Sequence, residues 1–194
     1  MKILKEQINE YVPFDEQEFS DKEYFLKFIN TFDDTLTRNN IFGHLTASAF
    51  VVNKERNKMV VVYHIINDGW MYPGGHADGE VDLLSVAIRE VQEETGLKTK
   101  VLDNRIFSIQ ANSVQHHIKK QKFVSAHTHF DVIFLLEADD TMPMVYREDE
   151  SKGVKWLSFD EAGNNDIVPF IRPIHQKLIK KLKQSEKNLK KEFQ

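Results

Sequence analysis

Residues 74–97 read GGHADGEVDLLSVAIREVQEETGL, a glycine pair followed by a segment with helical periodicity. Apolar residues recur at helical spacing over residues 81–95, so we predict a helix there that ends at the following glycine. At about 100° per residue, Glu90, Glu93 and Glu94 fall on roughly a third of the helix circumference. This helix would bury one side and collect three carboxylates along the edge of that side.

Three like charges on one helical patch repel each other, at a cost of a few tenths of a kcal/mol for each pair. A divalent cation would reverse the sign of that interaction, and carboxylate oxygens are hard ligands that suit Mg²⁺ or Mn²⁺. Arg89 lies one turn before Glu93 and could orient a carboxylate by a bidentate pair. Taken without its surroundings, the helix could also be an ordinary glutamate-rich surface helix.

The loop before the helix favours the cation. Gly74 and Gly75 follow Pro73, and two glycines let the backbone approach a ligand closely. Their carbonyl groups are then free to point at a metal ion. A glycine turn that leads into a carboxylate helix is a more specific pattern than either part alone.

This segment resembles the Nudix (MutT-type) hydrolase motif, Gly-x5-Glu-x7-Arg-Glu-U-x-Glu-Glu-x-Gly-U, in which U is aliphatic. Residues 89–97 match it at every fixed position, and Gly75 stands at the right distance before Arg89. The first glutamate of the motif falls at Val81, whereas Glu80 stands one residue earlier. We expect Glu80 to serve in its place.

The resemblance covers roughly residues 44–160, and the form PGGHADGE with a helical N-terminal extension is similar to one subgroup of Nudix proteins. It implies an α+β fold of the α/β/α sandwich-like Nudix type, with a mixed β-sheet flanked by helices. We predict a helical extension over residues 1–40, packed on the main domain. The Nudix domain would then be residues 41–194, including a C-terminal helix.

The resemblance also implies metal-dependent hydrolysis of the pyrophosphate bond in a nucleoside diphosphate linked to another moiety. That moiety could make the substrate a nucleotide sugar such as ADP-ribose, a dinucleotide or a nucleoside triphosphate. Carried over by position, the Gly75 carbonyl, Glu90, Glu93 and Glu94 would hold Mg²⁺ or Mn²⁺. Glu90 is also a candidate to orient or deprotonate the attacking water, and Arg89 would hold a glutamate in place.

A further acid in this family often lies in a loop before a tryptophan-containing strand. Glu150 stands six residues before Trp156 and resembles that element, and Glu148 is the second choice. The other interpretation of these residues is a solvated acidic loop.

Three more residues are candidates for substrate binding. His76 and Gly74, in the glycine loop, could reach a phosphate, and Trp70 could stack on a base. An aromatic residue beside an apolar core also commonly serves only in packing.

Histidines recur in a predicted strand over residues 128–137 and just before it. His127, His129 and Asp131 alternate and so share one strand face. They could form a second, histidine-based metal site, or they could be ordinary strand histidines.

Composition narrows the remaining alternatives. The 194-residue chain carries a formal net charge of −4, which makes nucleic acid an unlikely partner. It has no cysteine, which disfavours an isopentenyl-diphosphate isomerase-like enzyme because that chemistry uses a catalytic cysteine. A non-catalytic Nudix-like ligand-binding module is the other alternative, although such modules usually lose one or more of the box glutamates.

Location and assembly are expected from simpler features. The opening residues MKILKEQINEY lack the apolar core of a signal peptide, and the longest apolar runs are strand-sized. We therefore expect a cytoplasmic protein without a membrane partner. Many Nudix proteins are dimers, and the apolar face of the N-terminal helix could pack within the chain or on a second copy.

Overall fold

The computed structural model describes residues 1–119, 121–148, 151–164 and 167–192. Within them lie four α-helices and one short 3₁₀ helix, Phe159–Glu161. The α-helices are α1 (Lys2–Glu10), α2 (Glu16–Thr31), α3 (Leu83–Thr95) and α4 (Arg172–Glu192).

The strands of the described part are ten in number. They are β1 (Gly43–Val52), β2 (Lys58–His64), β3 (Gly69–Met71), β4 (Gly74–His76), β5 (Lys100–Val101), β6 (Ser108–Val114), β7 (His117–Lys119), β8 (Lys122–Val124), β9 (His127–Glu137) and β10 (Ser151–Ser158). Eight form one sheet in the order β10-β2-β1-β9-β5, with β3 paired to β2, β4 to β1 and β6 to β9. Strands β7 and β8 pair with each other. The predicted α+β class, with a mixed sheet flanked by helices, is confirmed.

The chain divides into two units that interleave along the sequence. The first unit contains Met1–Ala49, Gly74–Glu90 and Val101–Leu136. Its core includes an aromatic cluster in which Phe130 of β9 stacks on Phe28 at 4.1 Å between ring centroids and meets Phe25 edge-on at 5.2 Å. Helix α2 is therefore tied to a central strand by its apolar face.

The second unit contains Phe50–Pro73, Val91–Lys100 and the chain from Glu137 onward. Its central pairing joins β2 to β10, with Val60 opposite Trp156 and Met59 opposite Leu157. Helix α4 buries Ile174, Leu178 and Leu182, which is the apolar spacing expected for a C-terminal helix.

Helix α2 begins earlier than its sequence pattern indicates. The sequence Ser20-Asp21-Lys22-Glu23 has the spacing of a capping box, which predicts a helix start at Ser20. The structure contradicts this, because Asp15 is the N-cap and its side chain accepts a hydrogen bond from the Glu18 amide at 3.0 Å. The Glu18 side chain is fully buried and accepts from Tyr11 Oη at 2.5 Å and Ser108 Oγ at 2.6 Å.

The glycine loop is more regular than its composition suggests. Gly74–His76 forms the short strand β4, which pairs antiparallel with β1 and places Gly75 opposite Ala47.

In the described part of the chain, no helix combines the length and the apolar character needed to cross a bilayer.

Candidate active site

The glycine pair lies so close to its neighbours that a side chain at either position would have to displace one of them. A Cβ at Gly74 would lie 2.6 Å from the Ser48 Cβ, and one at Gly75 would lie 2.5 Å and 2.7 Å from the two carboxylate oxygens of Glu90. Because the space that a Gly75 side chain would fill is taken by the Glu90 carboxylate, this carboxylate lies directly against the Gly75 backbone. The first unit therefore holds the carboxylate of Glu90 and the backbone of Gly75 side by side.

After β4 the chain turns through a short left-handed segment. Asp78 has φ +46° and Gly79 has φ +96°, and a residue other than glycine adopts such angles at a cost. Arg38 pairs with the Asp78 carboxylate through Nε at 2.8 Å and Nη2 at 2.5 Å. These hydrogen bonds lower the pKa of Asp78, so this contact holds the loop as an ion pair.

Helix α3 follows the loop and has a built start and stop. The Asp82 side chain accepts hydrogen bonds from the Ser85 amide at 3.3 Å and from its hydroxyl at 2.7 Å, as an N-terminal cap does. At the other end Gly96 has φ +72°, and its amide donates to the Gln92 carbonyl at 2.9 Å. The predicted helix with a closing glycine is confirmed.

Arg89 joins the loop to the helix. It donates to Glu80 Oε2 at 2.5 Å and approaches Glu90 Oε1 at 3.4 Å. The hydrogen bond to Glu80 is the largest cause that raises the pKa of Arg89. Val81, where the motif has its first glutamate, exposes 45% of its surface.

The remaining box carboxylates lie farther along α3. Glu93 is exposed, and its Oε2 lies 3.8 Å from Arg147 Nη1, which makes a loose ion pair. Glu94 is half-buried. Carboxylates and a backbone carbonyl are the ligands that Mg²⁺ and Mn²⁺ prefer, so the donor types at Gly75, Glu90, Glu93 and Glu94 fit the expected cation.

Trp70 lies on β3 in the second unit, where its ring already has neighbours. Lys155 Nζ lies 4.3 Å from the ring centroid, and Tyr63 meets the ring edge-on at 5.2 Å. Its backbone carbonyl accepts a hydrogen bond from Val168 at 3.3 Å.

Only one of the two candidates for the predicted loop acid lies within the described residues. Glu148 is exposed in a turn, whereas Glu150 lies outside the described residues.

Of the predicted site residues, the structure brings Gly74, Gly75 and Glu90 together at the glycine loop, and Arg89 contacts Glu90.

His76 is surrounded by other histidines. Its ring centroid lies 5.0 Å from that of His44 and 4.8 Å from that of His129, and the His127 ring lies 5.0 Å from that of His44. Burial lowers the pKa of His44 to about 4 and holds the pKa of His129 far below its usual range. These two rings are therefore uncharged near neutral pH.

His44 belongs to this group, although it was not among the histidines predicted to lie together. The available signal is alternation, because His44, Thr46 and Ser48 share one face of β1 in the same way that His129 and Asp131 share one face of β9. The two faces meet, since both hydroxyls donate to Asp131 Oδ1 at 2.8 Å. Asp131 is only 3% exposed, so these bonds satisfy a carboxylate that water scarcely reaches.

Comparison with known proteins places the chain in one family. The family model described as the NUDIX domain matches residues 43–181. A relative named Nudix hydrolase 6, from Arabidopsis thaliana, is 31% identical over 133 residues, which cover 64% of this chain and 42% of the relative. A CMP-5'-(N-acetyl-N-hydroxy-3-aminopropyl)phosphonate hydrolase from Streptomyces rubellomurinus is 27% identical over 60% of this chain and 52% of its own length.

A third relative, a probable DHNTP pyrophosphohydrolase from Lactococcus lactis, is 29% identical over 50% of this chain and 55% of its own length. The chain thus spans about half the length of the curated relatives that it matches.

Solved structures show the same fold. A NUDIX-family hydrolase from Clostridium perfringens superposes with a TM-score of 0.51 at 20% identity, over 72% of this chain and 97% of that one. An Ap4A hydrolase from C. elegans gives a TM-score of 0.53 at 15% identity, over 74% and 98% of the two chains. With a family model that matches most of its length and a shared fold, the chain belongs to the Nudix family.

Proposed function

We propose that this chain is a Nudix pyrophosphohydrolase that cleaves the pyrophosphate bond of a nucleoside diphosphate linked to another moiety, with Mg²⁺ or Mn²⁺. The observation that carries the proposal is the contact of the Glu90 carboxylate with the Gly75 backbone. A carboxylate held against the Gly75 backbone offers a carboxylate oxygen and a backbone carbonyl as candidate ligands.

Helix α3 supplies the remaining ligands in this proposal. Glu93 and Glu94 follow Glu90 on the same helix, so all three carboxylates would act with the Gly75 carbonyl in binding the cation. When bound, the cation neutralises the anionic phosphate oxygens and lowers the pKa of a bound water. Without a cation, the same carboxylates would repel a diphosphate.

Arg89 acts here as a positioning residue. Its hydrogen bond to Glu80 and its contact with Glu90 fix the orientation of the Glu90 carboxylate. Glu80 then takes the structural place of the first glutamate in the motif, one residue early. We assign it to holding Arg89.

The proton of the attacking water needs an acceptor near neutral pH. We assign this role to Glu150, by its position six residues before Trp156, and Glu90 is the alternative base. Gly74 and His76 are assigned to phosphate contacts and Trp70 to a base. The cytoplasmic location and the homodimer also stay predictions.

The substrate class is best tested with a panel. It contains ADP-ribose, a dinucleoside polyphosphate, a CMP-linked compound and nucleoside triphosphates, because two relatives are named for CMP-linked and DHNTP substrates. Each compound is incubated with the purified chain and Mg²⁺, and the products are identified by mass.

We expect hydrolysis of at least one compound, with loss of turnover in excess chelator and recovery when Mg²⁺ or Mn²⁺ is restored. Full activity in chelator contradicts the metal requirement. Tight binding of a panel member without hydrolysis would identify a non-catalytic ligand-binding module instead.

A further inference from the structure

Three histidine rings converge on one face of two neighbouring strands in the first unit. His44 comes from β1, and His127 and His129 come from β9. Their ring centroids are 4.8 Å, 5.0 Å and 5.1 Å apart, which makes a nearly equilateral triangle. One ligand nitrogen from each ring lies within 4.8 Å of the other two.

The two ring nitrogens of His44 lack the partners that buried polar atoms usually have. His44 is 5% exposed, and neither of its ring nitrogens makes a hydrogen bond within the described part of the chain, although the Asn40 carbonyl is near enough to favour its charged form. An unpaired polar atom at such a depth costs free energy. A ligand that accepts lone pairs would remove that cost.

The tautomer of His127 directs a lone pair into the triangle. Its Nδ1 lies 2.8 Å from the Ser125 carbonyl, which can only accept, so Nδ1 carries the proton whenever the ring has only one. Its Nε2 is then a bare acceptor and lies 3.2 Å from Nε2 of His129. A carbonyl that holds the outer nitrogen of a metal-binding histidine is also the usual way to orient such a ring.

We propose that His44, His127 and His129 bind a divalent transition-metal cation of the Zn²⁺ class, apart from the carboxylates of α3. Neutral imidazole nitrogens suit Zn²⁺, Co²⁺, Ni²⁺ or Cu²⁺ and not Mg²⁺. In a tetrahedral site with bonds of 2.0–2.1 Å, neighbouring nitrogens are about 3.3 Å apart. The pair of Nε2 atoms in His127 and His129 already has that spacing, so only His44 must shift inward.

The fourth tetrahedral position falls to water or to His76, whose ring lies beside those of His44 and His129. His76 also ends β4, so a cation here would tie the glycine loop to β1 and β9. Three protein ligands and one exchangeable position is the arrangement of an open zinc site.

The proposal is tested by metal binding to the full chain, with no reference to hydrolysis. The protein is stripped with chelator and dialysed into excess Mg²⁺ to occupy the carboxylates. It is then titrated with Zn²⁺ by calorimetry and with Co²⁺ by visible absorption. We expect one equivalent of Zn²⁺ to bind, four-coordinate Co²⁺ bands to appear, and the melting temperature to rise by about 5–10 °C at a hundredfold excess over Kd.

Variants locate the ligands. His129→Asn and His127→Asn should each weaken Zn²⁺ binding at least about a hundredfold, while His116→Asn, an exposed control, should bind as the parent does. His127 is only half-buried, so its variant should fold, and circular dichroism checks that. Glu90→Gln combined with Glu94→Gln should keep the Zn²⁺ site.

Two results overturn the proposal. One is that no Zn²⁺ binds in excess Mg²⁺. The other is that Zn²⁺ binding survives both folded histidine variants or disappears with the double glutamine variant, which would place the cation at the carboxylates.

Discussion

The carboxylates of α3 and the histidines of β1 and β9 are two concentrations of metal-ligand chemistry built in opposite ways. The glutamates come from one helix and are charged, with Glu93 open to solvent. The histidines come from two neighbouring strands, and burial keeps His44 and His129 uncharged near neutral pH by lowering the pKa of each ring. Like charges on the helix repel each other when no cation is bound, whereas the buried His44 ring carries nitrogens without a hydrogen-bond partner in the described part of the chain. We therefore expect the two sets to bind different classes of ion.

The largest effect should come from the acid that would complete the carboxylate side of this comparison. Glu150→Gln should lower kcat by about 10²–10⁴-fold with little change in KM, because a positioned general base contributes that much. Glu148→Gln is the matched control and should cost less than about tenfold. Steady-state kinetics on the best panel substrate makes the measurement. If Glu148→Gln is instead the crippling change, the register of this loop is wrong by two residues.

Glu94→Gln separates charge from shape on the helix. The change removes one of three like charges, so stability without metal should equal or exceed that of the parent, while activity falls by about 10²-fold or more. Thermal unfolding in chelator and turnover in Mg²⁺ are measured on the same preparation. A strongly lowered melting temperature in chelator would show that Glu94 is structural and that the helix is not a metal-binding surface.

Gly75→Ala tests whether the backbone belongs to the carboxylate set. Its Cβ would overlap the Glu90 carboxylate, which must then move, and a displacement of about 1 Å can cost about 10²-fold in rate. Gly163→Ala is the control, since its Cβ would meet only the flexible end of Gln176 at 3.0 Å. Unchanged kcat in folded Gly75→Ala would contradict the assigned role of this contact.

His175 is a buried histidine outside the cluster, so it allows a separate test of how burial changes the pKa of a histidine. Burial lowers its pKa to about 3, and both its nitrogens lack hydrogen-bond partners in the described structure. The unfolded chain binds a proton here below about pH 6.5 while the folded chain does not, so stability is full above that pH and falls as the pH drops towards 3. From pH 7 to pH 5 the loss should be about 2 kcal/mol.

The measurement is urea unfolding of the metal-free chain at pH 7 and pH 5. His175→Leu should lose about 2 kcal/mol less than the parent between these pH values, and His116→Asn should behave as the parent does. Equal pH dependence in the parent and His175→Leu would mean that burial does not keep this ring neutral.

Local patterns explain which features could be predicted. The helix α3 and its closing Gly96 follow from spacing within one segment, and both predictions are confirmed. The start of α2 could not be chosen locally, since Asp15 and Ser20 each have an acidic residue three positions later. Contacts of Glu18 with Tyr11 and Ser108, far apart in the chain, favour Asp15.

The histidine cluster could be predicted only in part, because it depends on strand order as well as on local patterns. Alternation along the strand predicts that His127 and His129 share a face. His44 lies beside them only because β1 and β9 are neighbours in the sheet. Strand order is set by the whole chain, and no short window contains it. The roles assigned to individual residues stay predictions for the same reason, since they depend on a bound substrate.

The close approach of Gly74 to Ser48 has a consequence for how this sequence can evolve. A Cβ at position 74 would overlap the Ser48 side chain, which is itself held by Asp131. That Cβ would also lie 2.8 Å from the Ser48 Cα, so a smaller residue at position 48 would not make room for it. Among homologues that keep this strand pairing, position 74 should therefore stay glycine whichever residue stands at position 48.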